Sequence, residues 1–235
     1  MYTYAFCKTP LAPLTLPQGI AALVQPVEAG QLSALVEPDI ALETLQQDDR
    51  LLVQAVLAHD RVIRSLFLQT TILPLRFGTS FSSLDGLLTH LHTQQQRYLD
   101  QLTQLEGKAE YMLKLTPVEL PELTIASDVK GKDYFLAKKQ QYQTQLLHQK
   151  QQQAAFKQIE QAVAQTYPYS RLDATQAGGK TFYLLIARDR EHQLCQSIKR
   201  LQAQSSAWQL TLGEALPPYR FVGDSGENNR LDAQM

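Results

Sequence analysis

The segment of residues 72–79 constrains the fold most, because three structural signals follow one another in and just after it. Residues 72–77 are apolar apart from Arg76, which is typical of a short buried strand. Gly78 can adopt the positive φ that a sharp reversal of the chain needs. Residues 82–85, Ser-Ser-Leu-Asp, have the composition of a helix N-terminus. This part of the chain therefore predicts a strand, a glycine turn and a capped helix, and it contains no catalytic motif.

Length and composition allow a sizeable core and exclude several classes of partner. The chain has 235 residues, of which 44% are hydrophobic and 19% are charged, so it can form one large or two small domains. Its formal net charge of -1 provides no long-range field for phosphates or anionic lipid. We therefore expect no nucleic acid and no lipid membrane among its partners. The pattern of a secretory signal and any apolar run of roughly 18 residues are both missing, which predicts a cytoplasmic protein.

The first half of the chain has the pattern of an α+β domain, which we place at residues 1–107. Residues 2–7 alternate aromatic and small side chains, as in a half-buried strand. Residues 20–24 and 32–36 are apolar and flank Gly30. This pattern predicts a hairpin whose turn lies at that glycine.

Two helical stripes complete the first domain. Apolar residues recur at helical spacing over residues 41–67, with a restart at the Asp48-Asp49 pair, and again over residues 84–105. Gly107 stands where a C-cap glycine would end the second stripe. We therefore expect a mixed sheet with helices packed on one face.

The second half of the chain, residues 108–222, predicts a ferredoxin-like α+β domain. Its expected elements follow the order βαββαβ. They are a strand at 109–115, a long polar helix at 132–167, strands at 170–175 and 181–187, a helix from Asp189, and a last strand at 208–212. Residues 223–235 are polar and form the expected C-terminal tail.

Two local motifs imitate catalytic sites but occur in an unsuitable context. Residues 178–181, Gly-Gly-Lys-Thr, resemble the end of a phosphate-binding loop, yet a strand rather than a helix is expected after them. Residues 223–226, Gly-Asp-Ser-Gly, resemble a protease nucleophile segment, yet they lie in the polar tail. His90 and His92 would point roughly 200° apart on a helix, so they cannot chelate one ion as an i,i+4 pair does. We therefore expect no catalytic residue, no cofactor and no metal site.

The segment after the last predicted strand presents two aromatic side chains on a rigid backbone. Pro217 and Pro218 restrict the chain directly before Tyr219 and Phe221. Two interpretations remain open at this point. The aromatics either pack within the protein or form part of a surface for a partner.

The sequence resembles the gas vesicle protein F/L family in four places. These are the aromatic start at residues 1–6, the 72–79 segment, residues 107–111 with Lys114, and residues 217–222. The stretch that opens the long helix, residues 131–139, is similar as well. The family commonly has a Gly-Pro-Trp-like sequence just before Pro217, where this chain has Gly-Glu-Ala-Leu at 213–216, so no role is assigned to a tryptophan there.

The resemblance implies a protein without enzymatic activity that belongs to protein-walled, gas-filled buoyancy organelles in the cytoplasm. Members of the family accompany a small, very apolar shell protein that polymerises into the vesicle wall. We expect this chain to bind the shell protein, with other accessory proteins as further candidate partners, and to support assembly or reinforcement of the wall. The candidate structural or interface residues are Arg76, Phe77, Gly78, Thr79, Pro217, Pro218, Tyr219 and Phe221.

The alternative is a small-ligand-binding or enzymatic α+β protein. Two such domains joined by a proline-containing segment create a cleft of the kind in which pockets often form. The polar residues that would serve such a site are Arg76, His59, Asp60 and Glu110.

Overall fold

The computed structural model describes residues 1–38, 40, 47–120, 131–174 and 178–222. By its internal contacts the chain divides into two compact units. The first comprises Met1–Glu110 with the described part of Ala215–Met235, and the second comprises Tyr111–Glu214. Domain boundaries after residues 107 and 222 stay predictions, and the expected tail at 223–235 lies outside the described residues.

The first unit has the α+β composition that the sequence predicts. Its strands are β1 (Tyr2–Lys8), β2 (Gln25–Ala29), β3 (Leu32–Glu37) and β4 (Ile72–Pro74). Its helices are α1 (Asp49–Phe67), α2 (Leu84–Thr93) and α3 (Gln95–Leu105). The second apolar stripe therefore forms two helices rather than one, because Gln94 leaves helical geometry with φ -99° and ψ 8°.

The first sheet has the strand order β2-β3-β1-β4. Strand β1 pairs antiparallel with both β3 and β4, and β2 pairs antiparallel with β3. The prediction of a mixed sheet is therefore wrong for these ladders. Strands β3 and β4 run in the same direction, but β1 lies between them, so no parallel pair forms.

The hairpin prediction is confirmed at its turn and wrong at its first strand. Gly30 has φ 65°, as the turn requires. The strand that pairs with β3, however, is β2 rather than residues 20–24. The backbone N–H groups of Ile20, Ala21 and Ala22 donate to the carboxylate of Glu37, so they serve a side chain instead of a ladder.

Helix α1 begins at the predicted restart. Asp48 is its N-cap, and the carboxylate accepts from the backbone N–H groups of Arg50 and Leu51 at 2.8 and 3.3 Å. Asp49 adds a negative charge to the first turn, where the helix dipole favours it. Residues 41–46, the first part of the predicted helix, lie outside the described residues.

The core of the first unit includes both faces of its central strands. Every side chain of β3, and every one of β1 up to Cys7, is buried. The prediction of a half-buried first strand is therefore wrong. The residues that alternate with the aromatics are small rather than strongly polar, so they can be buried as well; they are Thr3, Ala5 and Cys7.

The second unit has the predicted βαββαβ order. Its strands are β5 (Lys108–Pro117), β6 (Ser170–Ala174), β7 (Lys180–Ala187) and β8 (Trp208–Leu216), and its helices are α4 (Lys132–Thr166) and α5 (Glu191–Gln204). The strand order β6-β7-β5-β8 places the first and third strands at the centre. The ferredoxin-like prediction is confirmed in this element order, and β5 and β8 are longer than expected.

The glycine-rich turn between β6 and β7 belongs to a hairpin. The two strands pair antiparallel from Ser170 opposite Leu184 to Ala174 opposite Lys180. Gly178 has φ 73°, and residues 175–177 lie outside the described residues. Lys180 and Thr181 continue into a strand, so the segment lacks the helix N-terminus that phosphate binding needs.

Candidate structural site around His59 and Asp60

The 72–79 segment forms strand β4 and the turn that follows it. Gly78 has φ 90°, which confirms the predicted positive φ. The backbone N–H and the hydroxyl of Thr79 both donate to the carbonyl of Arg76, at 3.1 and 2.8 Å. Arg76 and Gly78 are exposed, whereas Phe77 and Thr79 are half-buried. The turn is thus closed by its own backbone, and its tip reaches solvent.

His59 lies on the buried side of α1 and connects that helix to β1 and to the residue that follows β4. Its Nε2 lies 3.1 Å from the carbonyl oxygen of Leu75, and its Nδ1 lies 2.7 Å from the hydroxyl oxygen of Tyr2. Because a carbonyl only accepts, Nε2 carries the proton and Nδ1 accepts from Tyr2. Burial lowers the pKa of His59, which keeps the ring neutral. The ring therefore acts as a connector between backbone and side chain.

Three aromatic side chains pack around this histidine. Tyr4 stacks on the His59 ring with centroids 5.2 Å apart, and Phe77 meets it edge-on at 5.7 Å. Tyr2 contacts Phe77 at 6.1 Å and accepts a hydrogen bond from the backbone N–H of Gly78 at 3.4 Å. Burial raises the pKa of Tyr2 to about 12, so its hydroxyl stays protonated and can donate to His59.

Asp60 anchors the 217–222 segment to α1. Its Oδ1 accepts from the hydroxyl of Tyr219 at 2.7 Å, and its Oδ2 accepts from Nε of Arg64 at 2.7 Å, one turn along the helix. Burial, and then the hydrogen bond to Asp60, raise the pKa of Tyr219. Of the two interpretations of this aromatic, packing within the protein therefore describes its hydroxyl end.

The same segment has a second anchor at Glu110. The backbone N–H of Arg220 donates to Oε2 of Glu110 at 2.7 Å. Pro217 and Pro218 are buried, and Phe221 is half-buried. Two carboxylates of the first unit thus hold the 217–222 segment at the neighbouring residues Tyr219 and Arg220.

Parts of all four sequence segments that carry the family resemblance meet in the first unit. The aromatic start contributes Tyr2, and the 72–79 segment contributes Leu75, Phe77 and Gly78. The third segment contributes Glu110 and the fourth contributes Tyr219. Sequence reasoning located the segments but did not show that α1 joins three of them, two through His59 and one through Asp60.

Glu37 is a further anchor that sequence reasoning missed. Its carboxylate is fully buried and accepts from the hydroxyl of Tyr4 at 2.5 Å and from the backbone N–H groups of residues 20–22. A Cβ on Gly19 would lie 2.0 Å from Oε2 of Glu37, so only glycine fits there. The available signal was a lone acidic residue at the end of the apolar run of β3.

Three of the four polar residues considered for a ligand site make hydrogen bonds that hold the structure together. His59, Asp60 and Glu110 are occupied by the bonds described above, and Arg76 lies at the exposed tip of the turn. Within the described residues, no three His, Cys, Asp or Glu side chains are grouped so that they could hold a metal ion. The interface role of the eight candidate residues stays a prediction.

Among the helices in the described ranges, none is both long enough and apolar enough to span a membrane.

A family model described as gas vesicle synthesis protein GvpL/GvpF matches residues 1–223. Gas vesicle protein F from Streptomyces sp. (strain CB03234) is 27% identical over 221 residues, which cover 88% of this chain and 89% of that protein.

Two solved structures share the fold. The crystal structure of gas vesicle protein GvpF from Anabaena sp. PCC7120 matches with a TM-score of 0.67 and 16% identity, over 97% of each chain. That of GvpF from Microcystis aeruginosa matches with a TM-score of 0.65 and 15% identity, over 94% of this chain and 98% of that one. Because the family model covers nearly the whole sequence, this chain belongs to the gas vesicle synthesis protein GvpL/GvpF family.

Proposed function

We propose that this protein binds the hydrophobic shell protein of gas vesicles and supports assembly or reinforcement of the vesicle wall. Family membership associates the chain with gas vesicles, and the family is not known for an enzymatic activity. One observation supports the choice of the shell protein as partner and the role in the wall. It is an exposed apolar face on α1.

The N-terminal half of α1 carries apolar side chains that the core leaves uncovered. Val53, Val56 and Leu57 are 58%, 42% and 65% exposed. Their spacing of three and four residues places them on one face of the helix. The buried residues Ala55 and Val62 lie on the opposite side of the helix. An exposed group of this kind marks a place for an apolar partner.

The 217–222 segment borders this face. Asp60 follows Leu57 by three residues and Val56 by four, so it belongs to the same side of α1. Because the hydroxyl of Tyr219 lies 2.7 Å from Oδ1 of Asp60, the aromatic segment ends the face on its C-terminal side. This position supports an interface role for Tyr219 beside its role in packing.

An apolar face suits the physical problem of building a hydrophobic wall. A shell subunit with apolar surface aggregates unless that surface is covered until the subunit joins a growing edge. A partner that covers it transiently acts as an assembly factor, and one that stays becomes a minor component of the wall. Other accessory proteins of the vesicle are candidate partners for the same surface.

The proposal is tested by binding between purified shell subunit and purified protein. The variant Val56→Asp with Leu57→Asp places two charges in the face, and we expect it to bind at least about tenfold more weakly than the wild type. The control Gln54→Asp adds a charge to the same helix, on an exposed position outside the face. It should bind like the wild type.

Two results would overturn the proposal. One is a shell subunit that the wild-type protein does not retain, together with purified vesicles that lack the protein. The other is a double variant that binds as tightly as the wild type while circular dichroism shows the native fold. Immunolocalisation on intact and ruptured vesicles then separates a wall component from a soluble assembly factor.

A further inference from the structure

Helix α4 presents its apolar side chains to solvent over its first half. Phe135 and Tyr142 are 75% and 64% exposed, and Leu146 and Leu147 are exposed as well. At 3.6 residues per turn, Phe135, Tyr142 and Leu146 fall along one line of the helix, and Leu136 and Leu147 flank it on one side. These five exposed apolar residues share one broad side of the helix, which we call the outer stripe of α4.

The opposite side of the same stretch is polar and is the less exposed one. Gln141, Thr144, His148 and Gln152 lie there at helical spacing. Nε2 of His148 and Nε2 of Gln152 both lie 2.8 Å from the carbonyl oxygen of Val118. Polar contacts therefore hold this part of the helix in the second unit, and the outer stripe is free for another use.

The outer stripe also carries charge of one sign. Lys139, Lys150 and Lys157 lie on the same side as Phe135 and Tyr142, within roughly 80° around the helix axis. No Asp or Glu occurs between Asp133 and Glu160. The surface thus combines apolar contacts with positive charge and has no acidic group of its own to balance it.

We propose that the outer stripe of α4 docks an amphipathic helix of a second protein, whose apolar side chains are accompanied by acidic residues. Helices with sparse apolar stripes associate through such faces, and charges beside the stripe select the partner. From Phe135 to Lys150 the stripe extends about 22 Å, which accommodates a partner helix of about 15 residues. This surface is separate from the α1 face and goes beyond the binding of the shell protein.

Charge excludes the two other occupants that fit an apolar helix face. In a second copy of this chain, the lysines of one stripe would face those of the other and repel them. In a membrane-surface helix, the cations lie on the polar face while the apolar face enters the lipid. Here Lys139 and Lys150 lie within the apolar stripe itself, so insertion would draw both charges toward the acyl chains.

The test uses a pair of synthetic helical peptides as probes. Each has about three heptads with leucine at the first and fourth positions, and the flanking positions carry glutamate in one peptide and lysine in its twin. Binding to the full-length protein is measured by fluorescence anisotropy. We expect the acidic peptide to bind at least about tenfold more tightly than the basic one.

Three variants and one control give the proposal specific consequences. Tyr142→Ser with Leu146→Ser should lose the acidic peptide, whereas the exposed control Gln145→Ser, on another side of α4, should keep it. Lys139→Glu with Lys150→Glu should reverse the preference in favour of the basic peptide, which a merely structural role would not do. The α1 variant Val56→Asp with Leu57→Asp should still bind the acidic peptide, so failure at one surface is distinct from failure at the other.

Several outcomes would overturn the proposal. They are equal binding of both peptides, binding of neither, a dimer in sedimentation that Tyr142→Ser with Leu146→Ser dissociates, and binding to vesicles of anionic lipid that the same variant abolishes. Circular dichroism on each variant confirms that α4 remains helical.

Discussion

Helices α1 and α4 differ in whether the protein buries their apolar residues. In the second half of α1 the apolar residues point inward, and Val62, Ile63 and Leu66 are fully buried. In the first half of α4 the apolar residues point outward, and polar side chains such as His148 make the contacts with the rest of the second unit. Both segments show helical periodicity in the sequence. Periodicity therefore identifies an apolar face, but it does not tell whether the protein itself covers that face.

The largest loss of stability is expected when a buried side chain of α1 is shortened. Ile63→Ala removes buried apolar atoms and leaves a cavity, so we expect the free energy of unfolding to fall by about 2–5 kcal/mol. Urea denaturation monitored by circular dichroism measures the change. The matched control is Leu147→Ala on the outer stripe of α4, which should stay within about 0.5 kcal/mol of the wild type. Equal losses from the two variants would contradict the difference between the helices.

The next largest effect is expected at Glu37, a buried polar group that is fully used inside the first unit. Glu37→Gln replaces one accepting oxygen by an NH₂ group that faces N–H donors, so we expect a loss of about 1–3 kcal/mol. Glu28→Gln, on the exposed edge strand β2, serves as the control and should be nearly neutral. A stable Glu37→Gln protein would show that the loop of residues 20–22 does not need the carboxylate.

A smaller loss is expected when the anchor of the 217–222 segment is removed. Tyr219→Phe deletes the hydroxyl that donates to Asp60, which should cost about 1 kcal/mol. Tyr142→Phe makes the same chemical change on the exposed stripe of α4, where it should have no measurable effect on stability. Limited proteolysis complements denaturation here, because a loosened segment should be cut faster in Tyr219→Phe alone.

The smallest expected effect is a gradual change of stability with pH. Burial lowers the pKa of His59 below its ordinary value of 6.5, so the unfolded chain binds this proton more readily than the folded one. The contribution of the neutral His59 ring to the free energy of unfolding is therefore complete above about pH 6.5, and it is lost as the pH falls toward the pKa of the folded state. Burial lowers the pKa of His90 too, which acts in the same direction.

Thermal unfolding across this range checks the sign. The acid-side loss of stability should be smaller in His59→Gln than in the wild type, and His192→Gln, an exposed change on α5, should leave the profile as it is. A wild-type protein that gains stability between pH 6.5 and 5 would contradict a neutral His59 in the folded state.

Local signals in the sequence predicted much of the fold. Asp48 as the start of α1, Gly30 and Gly78 as turns with positive φ, and the βαββαβ order of the second half all follow from short patterns. Each depends on interactions within a few residues, such as a side chain that caps its own helix. Such interactions are readable because both partners are close in the chain.

The remaining features depend on partners far apart in the sequence. The position of β2 depends on Glu37, whose carboxylate accepts hydrogen bonds from the backbone N–H groups of residues 20–22. The candidate site depends on His59 and Asp60, which receive partners from segments 57 and 159 residues away. The sequence pointed to these segments through the family resemblance, but it did not indicate which side chains meet.

By itself, the sequence determined most types of element, because helix caps, glycine turns and hydrophobic periods are local properties of the chain, and its resemblance to a known family indicated the family. Only the tertiary structure decided which apolar faces are covered. Cover depends on which elements pack against one another, and the same stripe of Phe135, Tyr142 and Leu146 would be core if another element lay over it. In α1 the core covers the apolar residues of the second half of the helix, and in α4 it leaves those of the first half exposed.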